Sequence, residues 1–198
     1  MADHLMGTMA ARSEEKSLRL RVDLQFLHSM MLRSESTRYA EFADLCTVRL
    51  ENEGPDCLAV VLRISQGKTM NRQDAANNNK TMYTGFLRHK EVLLCPVGAL
   101  AFWLSYRWDV SGEAPPDFSD RASWYDTKLL PGELSHRKKS VSSRTQSTWM
   151  QTLSSESGIT SSKVLHTPRK TVARMMDLWE VPAEQVSDSL PILILNIS

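Results

Sequence analysis

His166, Thr167, Pro168, Arg169 and Lys170 place an imidazole, a guanidinium and an ammonium within five consecutive residues. Threonine followed by proline is the signature of a helix start, with Thr167 as the cap and Pro168 as the first helical residue. The free N–H groups and dipole of such a terminus favour anions. Arg169 in the first turn therefore stands at the wrong end for a cation, which gains about 0.3–1 kcal/mol only near a C-terminus. A bound phosphate or carboxylate would reconcile charge and position. Taken alone, the pentapeptide also reads as an ordinary exposed basic turn.

Two other cations occur where a buried or turn position gives them meaning. Arg33 directly follows a long apolar segment, in Leu32, Arg33, Ser34, Glu35. A buried guanidinium there needs a carboxylate such as Glu35 or Asp44, and read alone it is a structural salt bridge. Lys68 sits in Gly67, Lys68, Thr69 between two strand-like runs, where a lysine is ordinarily a solvated edge charge.

The elements that would carry these groups follow from hydrophobic patterning. Leu18, Leu20, Val22, Leu24, Phe26, Leu27, Met30 and Met31 form an apolar segment without one clean period, and from Val22 onward the spacing suits a buried helix. Residues 46–50 and 57–64 read as a hairpin around a turn of Asn, Gly, Pro and Asp, and 82–87 as a third antiparallel strand. Pro96 opens a helix marked by Val97, Leu100, Ala101, Leu104 and Trp108. Residues 112–145 read as a long connection anchored by Trp124, Tyr125, Leu129 and Leu130. A short helix is predicted from Thr145 to Ser155, and a last one after Thr167 with Val172, Met175, Met176 and Trp179 as its apolar stripe. The fold class is thus mainly α with a small three-stranded antiparallel sheet, in one domain over 15–186 between a disordered tail, 1–14, and a divergent one, 187–198.

Composition narrows the class further. Hydrophobic residues make up 41% and charged residues 24%, which excludes a disordered or collagen-like chain. The net charge of +1 does not announce a polyanion binder, so a basic face must come from local clustering. Cys46, Cys57 and Cys95 are odd in number and widely spaced, which suits neither a disulfide framework nor a zinc site and points to a reducing, intracellular compartment. With no apolar signal segment and no run near the roughly 20 apolar residues of a membrane span, a soluble protein without cofactor or metal is expected.

Taken in order, a helix followed by Arg33, a meander bearing Lys68, and His166-x-x-Arg169 opening a later helix resemble the catalytic domain of the tyrosine recombinases. In that family two arginines and the histidine clamp the scissile phosphate while the lysine protonates the leaving oxygen. More closely, the runs 32–35, 67–69, 87–92, 95–108 and 123–130 resemble the second domain of the large subunit of the fungal centromere DNA-binding complex, a domain related to Crypton-type transposon recombinases. The resemblance covers roughly residues 18–186, and Arg88 to Phe102 is its most specific stretch. It implies a nuclear protein that binds double-stranded DNA, and it is compatible with a homo-oligomer. Arg33, Lys68, His166 and Arg169 would line the phosphate site, and Arg72, Arg88, Lys90, Arg137, Lys138 and Lys139 would make further DNA contacts.

The sequence departs from the recombinase pattern at the nucleophile. Covalent capture of a DNA phosphate needs a tyrosine hydroxyl, and in the family it follows the histidine motif. All four tyrosines here, Tyr39, Tyr83, Tyr106 and Tyr125, precede His166. The relatives also continue past Val186 into a Gly-Asn-Trp or Gly-Arg-Trp segment, where this sequence has Ser187 to Ser198. The leading expectation is a DNA-binding protein that does not cut. The alternatives are an active recombinase or transposase whose nucleophile is supplied elsewhere, and a non-functional gene fragment.

Overall fold

The computed structural model describes residues 14–50, 58–64 and 82–181. Its centre is helix α1, Glu14–Ser29, which begins well before the expected start at Val22. Leu20, Val22, Leu24, Phe26 and Leu27 are all buried, and so are Arg19, Asp23 and Gln25. A helix covered on nearly every side needs no single apolar stripe, which is why its sequence lacks a clean period. Arg19, Asp23 and Gln25 each take part in hydrogen bonds, as burial demands. Arg19 donates to the carbonyl of Gly132 at 2.8 Å and lies over the Trp103 and Trp149 rings at 5.3 and 5.5 Å. Gln25 donates to the carbonyl of Leu93 at 3.2 Å.

The chain leaves α1 through Met31, whose φ of 50° lies in the left-handed region, and enters α2, Ser34–Tyr39. The predicted meander follows: β1, Leu45–Arg49, β2, Leu58–Ile64, and β3, Met82–Phe86, in the order β1-β2-β3. Both pairings are antiparallel, with Cys46 opposite Val61 and Val61 opposite Gly85. Gly85 is required there, because a Cβ at this position would lie 2.9 Å from the carbonyl oxygen of Val60. Beside it Phe86 packs on Phe26 of α1, with ring centres 5.3 Å apart.

Helix α3, Pro96–Ser105, starts as expected, with proline in its first turn and the Cys95 sulfur accepting from the Gly98 amide at 3.3 Å. It then widens into one π-helical turn, Tyr106–Val110, closed by Ser111 N donating to the carbonyl of Tyr106 at 2.8 Å. Within this turn the fully buried Arg107 donates to both oxygens of Glu113, each at 2.6 Å, and to the carbonyl of Lys128 at 3.0 Å. The following connection touches the core as predicted through the buried Leu129 and Leu130 and the partly buried Trp124, whereas Tyr125 is 47% exposed and meets the Trp124 ring with centres 5.2 Å apart. It contains the single turn α4, Arg121–Trp124.

Two helices close the described fold: α5, Ser143–Glu156, capped by the Ser142 hydroxyl, and α6, Thr167–Leu178. Helices α3 and α6 both pack on α1. The expected stripe of α6 holds only in part. Val172 and Met176 are buried, but Trp179 is 52% exposed and lies just past the helix end, outside the buried face. Among the described residues, no helix is long and apolar enough to cross a membrane.

Candidate nucleic-acid interface

Arg33 is the N-cap of α2, with extended φ and ψ of −80° and 148°. Its carbonyl accepts from the Ser36 and Thr37 amides at 2.9 and 3.3 Å, while its side chain is half-buried at the surface. The buried Leu32 and the left-handed turn at Met31 fix the direction in which it leaves α1. The carboxylate of Asp44, one partner considered for Arg33, is instead held by Arg63, which donates to one oxygen at 3.0 and 3.1 Å.

Arg169 enters from the other end of the chain, in the first turn of α6, and is half-buried. Its guanidinium pKa is held below the ordinary arginine value, first by burial and then by the positive charge of Arg33. The fold thus brings within electrostatic range two guanidiniums 136 positions apart in sequence. Two like charges so placed repel, and an anion between them would relieve the repulsion of both. Both can donate paired N–H groups to an oxyanion, a geometry lysine lacks.

His166 is the N-cap of α6 and is exposed, and its side chain makes no capping hydrogen bond. The expected cap, Thr167, is already the first helical residue. Its hydroxyl donates backwards, to Ser161 Oγ at 3.0 Å and the carbonyl of Lys163 at 3.3 Å, so it cannot serve the first-turn amides as predicted. The shift of the helix start by one residue puts the imidazole itself at the terminus.

The other predicted contacts fare unequally. Lys68 and Arg72 lie outside the described residues. Arg88 and Lys90 are exposed on the connection from β3 to α3. Of the basic cluster, Lys138 is paired with Asp126 at 3.0 Å and Arg137 donates to the carbonyl of Ser123 at 3.2 Å, whereas Lys139 is exposed. Tyr83 is 51% exposed on β3 and Tyr106 is stacked on Trp103 with centres 6.1 Å apart. Among the described residues, no group of three or more histidine, cysteine or acidic side chains is arranged to hold a metal ion.

Sequence reading passed over the polar cluster beneath α2. Asp23, Thr37 and Gln146 are all buried and hydrogen-bonded to one another. The signal was present, since an acid between Val22 and Leu24 in an apolar segment must find donors when it is buried.

Among solved structures, the chain is similar to a Flpe–Holliday junction complex, with a TM-score of 0.59 and 10% sequence identity. The match covers 89% of this chain and 40% of that one, so this chain spans well under half the length of its structural neighbour. The fold, mainly α with a three-stranded antiparallel sheet, is therefore like that of a tyrosine-recombinase catalytic domain. No curated protein matches. The model of one protein family matches residues 3–190, nearly the whole sequence, and on that match the chain belongs to the family of the centromere DNA-binding protein complex CBF3 subunit, domain 2.

Proposed function

We propose that this chain is a nuclear DNA-binding module that grips the phosphate backbone of duplex DNA at Arg33 and Arg169, with His166 at the start of α6 and Lys68, assigned from the sequence alone, as further contacts, and does not cut the strand it holds. The observation that carries the reading is that Arg169, in the first turn of α6, lies within electrostatic range of Arg33, so that helix dipole and guanidiniums favour an anion there. The family's description, which names a DNA-binding complex, supports the choice of DNA over other anions. Arg88, Lys90 and Lys139 extend the contact as exposed cations, and Arg72 is assigned to it from sequence. Arg137 and Lys138, which have partners within the chain, contribute less than the sequence implies. Phosphate contacts of this kind position the protein and carry no sequence preference.

Titration of labelled duplex DNA at several salt concentrations tests the reading. If about five phosphates are neutralised, the log–log slope of affinity against salt should be near −4.5. Binding that is absent at low salt, or indifferent to salt, would overturn the proposal. Within the site, Arg169→Ala is expected to weaken binding by roughly tenfold or more, against about two- to threefold for Lys170→Ala, because a guanidinium holds two phosphate oxygens and an ammonium one. Equal losses would reduce α6 to a diffuse positive charge.

A second reading, an active recombinase with its nucleophile supplied by another chain, draws on the similarity to the Flpe complex. Arg33, Lys68, His166 and Arg169 would stabilise charge on the phosphate and assist the leaving oxygen, but they lower a barrier only where an attacking group is present. We expect no covalent adduct on a nicked suicide substrate after denaturing electrophoresis. A shifted band lost on changing any of Tyr39, Tyr83, Tyr106 or Tyr125 to phenylalanine would make the chain an enzyme.

A further inference from the structure

Asp23 lies in the middle of α1, only 1% exposed. Its Oδ1 accepts from the Thr37 hydroxyl at 2.7 Å, and the Gln146 amide donates to its two oxygens at 2.8 and 2.9 Å. That amide nitrogen is also 3.0 Å from Thr37 Oγ1, and Arg38 closes the cluster by donating to Gln146 Oε1 at 2.9 Å. One side chain from α1, two from α2 and one from α5 thus share a single polar knot in the core.

Hydrocarbon side chains would join these helices with less desolvation, since a buried charge often costs more than it returns. Burial pushes the Asp23 carboxyl up to about 6, so at neutral pH the chain keeps an ionised carboxylate in its core. What directional hydrogen bonds add is a fixed rotation and register. Helix α2 needs both, because six residues are too few to hold a helix by themselves. Thr37 is one turn after Arg33, and its amide donates to the Arg33 carbonyl at 3.3 Å, so gripping Thr37 fixes where Arg33 stands. Gln146 belongs to α5, which packs on the single turn Val164–His166 that leads into α6 and Arg169.

We propose that Asp23 is a positioning residue for the anion site: through Thr37 and Gln146 it sets the placement of the Arg33 guanidinium opposite Arg169. The inference rests on the phosphate reading above. In Asp23→Asn the new Nδ2 would stand where Oδ2 now accepts from Gln146, donor against donor, and would strain the contact that anchors α2.

The test is duplex DNA affinity at low salt, with circular dichroism confirming the fold of each variant. Asp23→Asn should weaken binding about tenfold, yet cost less than about twofold when Arg33→Ala is already present, because the two residues act through one contact. Adding Gln146→Glu to Asp23→Asn exchanges donor and acceptor and should bring affinity back to within about twofold of the unaltered protein. Should Asp23→Asn fail to fold, Thr37→Val removes only the hydroxyl and should show the same dependence on Arg33. An equal loss with and without Arg33, or no loss in a folded variant, would overturn the positioning role and leave the phosphate reading standing. If the unaltered protein binds no DNA, or Arg33→Ala has no effect on binding, both ideas fall together.

Discussion

Arg107→Met is expected to lower the free energy of unfolding by about 3–5 kcal/mol, the cost of leaving a buried charge without its partner. Arg107 is fully buried, and its guanidinium spans both oxygens of Glu113 at 2.6 Å, with the Lys128 carbonyl at 3.0 Å. It also lies over the Phe42 ring at 5.0 Å, tying α3, its π-helical turn and the following connection into one block. Methionine fills much of the volume but leaves the Glu113 carboxylate, 8% exposed, facing hydrocarbon. Pairing the change with Glu113→Leu should recover most of the loss, since removing both charges removes the unsatisfied one. Chemical denaturation measures both variants, and a loss below about 1 kcal/mol for the single change would mean that water reaches Glu113 and the site is wet.

Stability should also fall as pH rises through the window from about 4 to 6, because of Asp23. Burial raises its carboxyl pKa from the ordinary 3.8 to about 6, against the opposing effects of the Thr37 and Gln146 hydrogen bonds and the Arg38 charge. Between those values the folded chain keeps a proton that the unfolded chain has lost. The contribution is therefore fully present below pH 3.8 and gone above pH 6, a difference of roughly 3 kcal/mol. Unfolding free energies of the unaltered protein and Asp23→Asn, compared across this range, isolate the residue from other titrating groups. His28 is one such group, whose pKa burial lowers so that it acts in the opposite direction. Identical pH profiles for the two proteins would show that the Asp23 carboxyl titrates alike in the folded and unfolded chains, so that its burial does not shift it. The same comparison bears on the positioning role, since a carboxylate kept in place at a cost in stability is retained for something other than stability.

Local chemistry made several elements readable. Pro96 suits the first turn of a helix that Val97, Leu100 and Leu104 then continue, and Gly54 with Pro55 interrupts the sequence between two β-branched runs, so α3 and the meander were legible from single residues and short spacings. The pentapeptide at His166 likewise announced an anion-favouring helix start, because dipole and cation are features of adjacent residues. One residue of error at Thr167 was enough to exchange cap and helix, since hydroxyl capping and backward bonding differ only in where the backbone turns.

The sequence by itself determined the element types, the candidate cations and the resemblance that ties them together, because each rests on neighbours along the chain. Only the tertiary structure decided which cations meet. Arg33 and Arg169 share an electrostatic field because α1 packs on α6, while Lys138 and Arg63 are taken by Asp126 and Asp44. The Asp23 knot belongs to the second kind as well. Its partners come from three helices up to 123 positions apart, and a hydrogen bond at 2.8 Å depends on distance in space, which no spacing along the chain encodes.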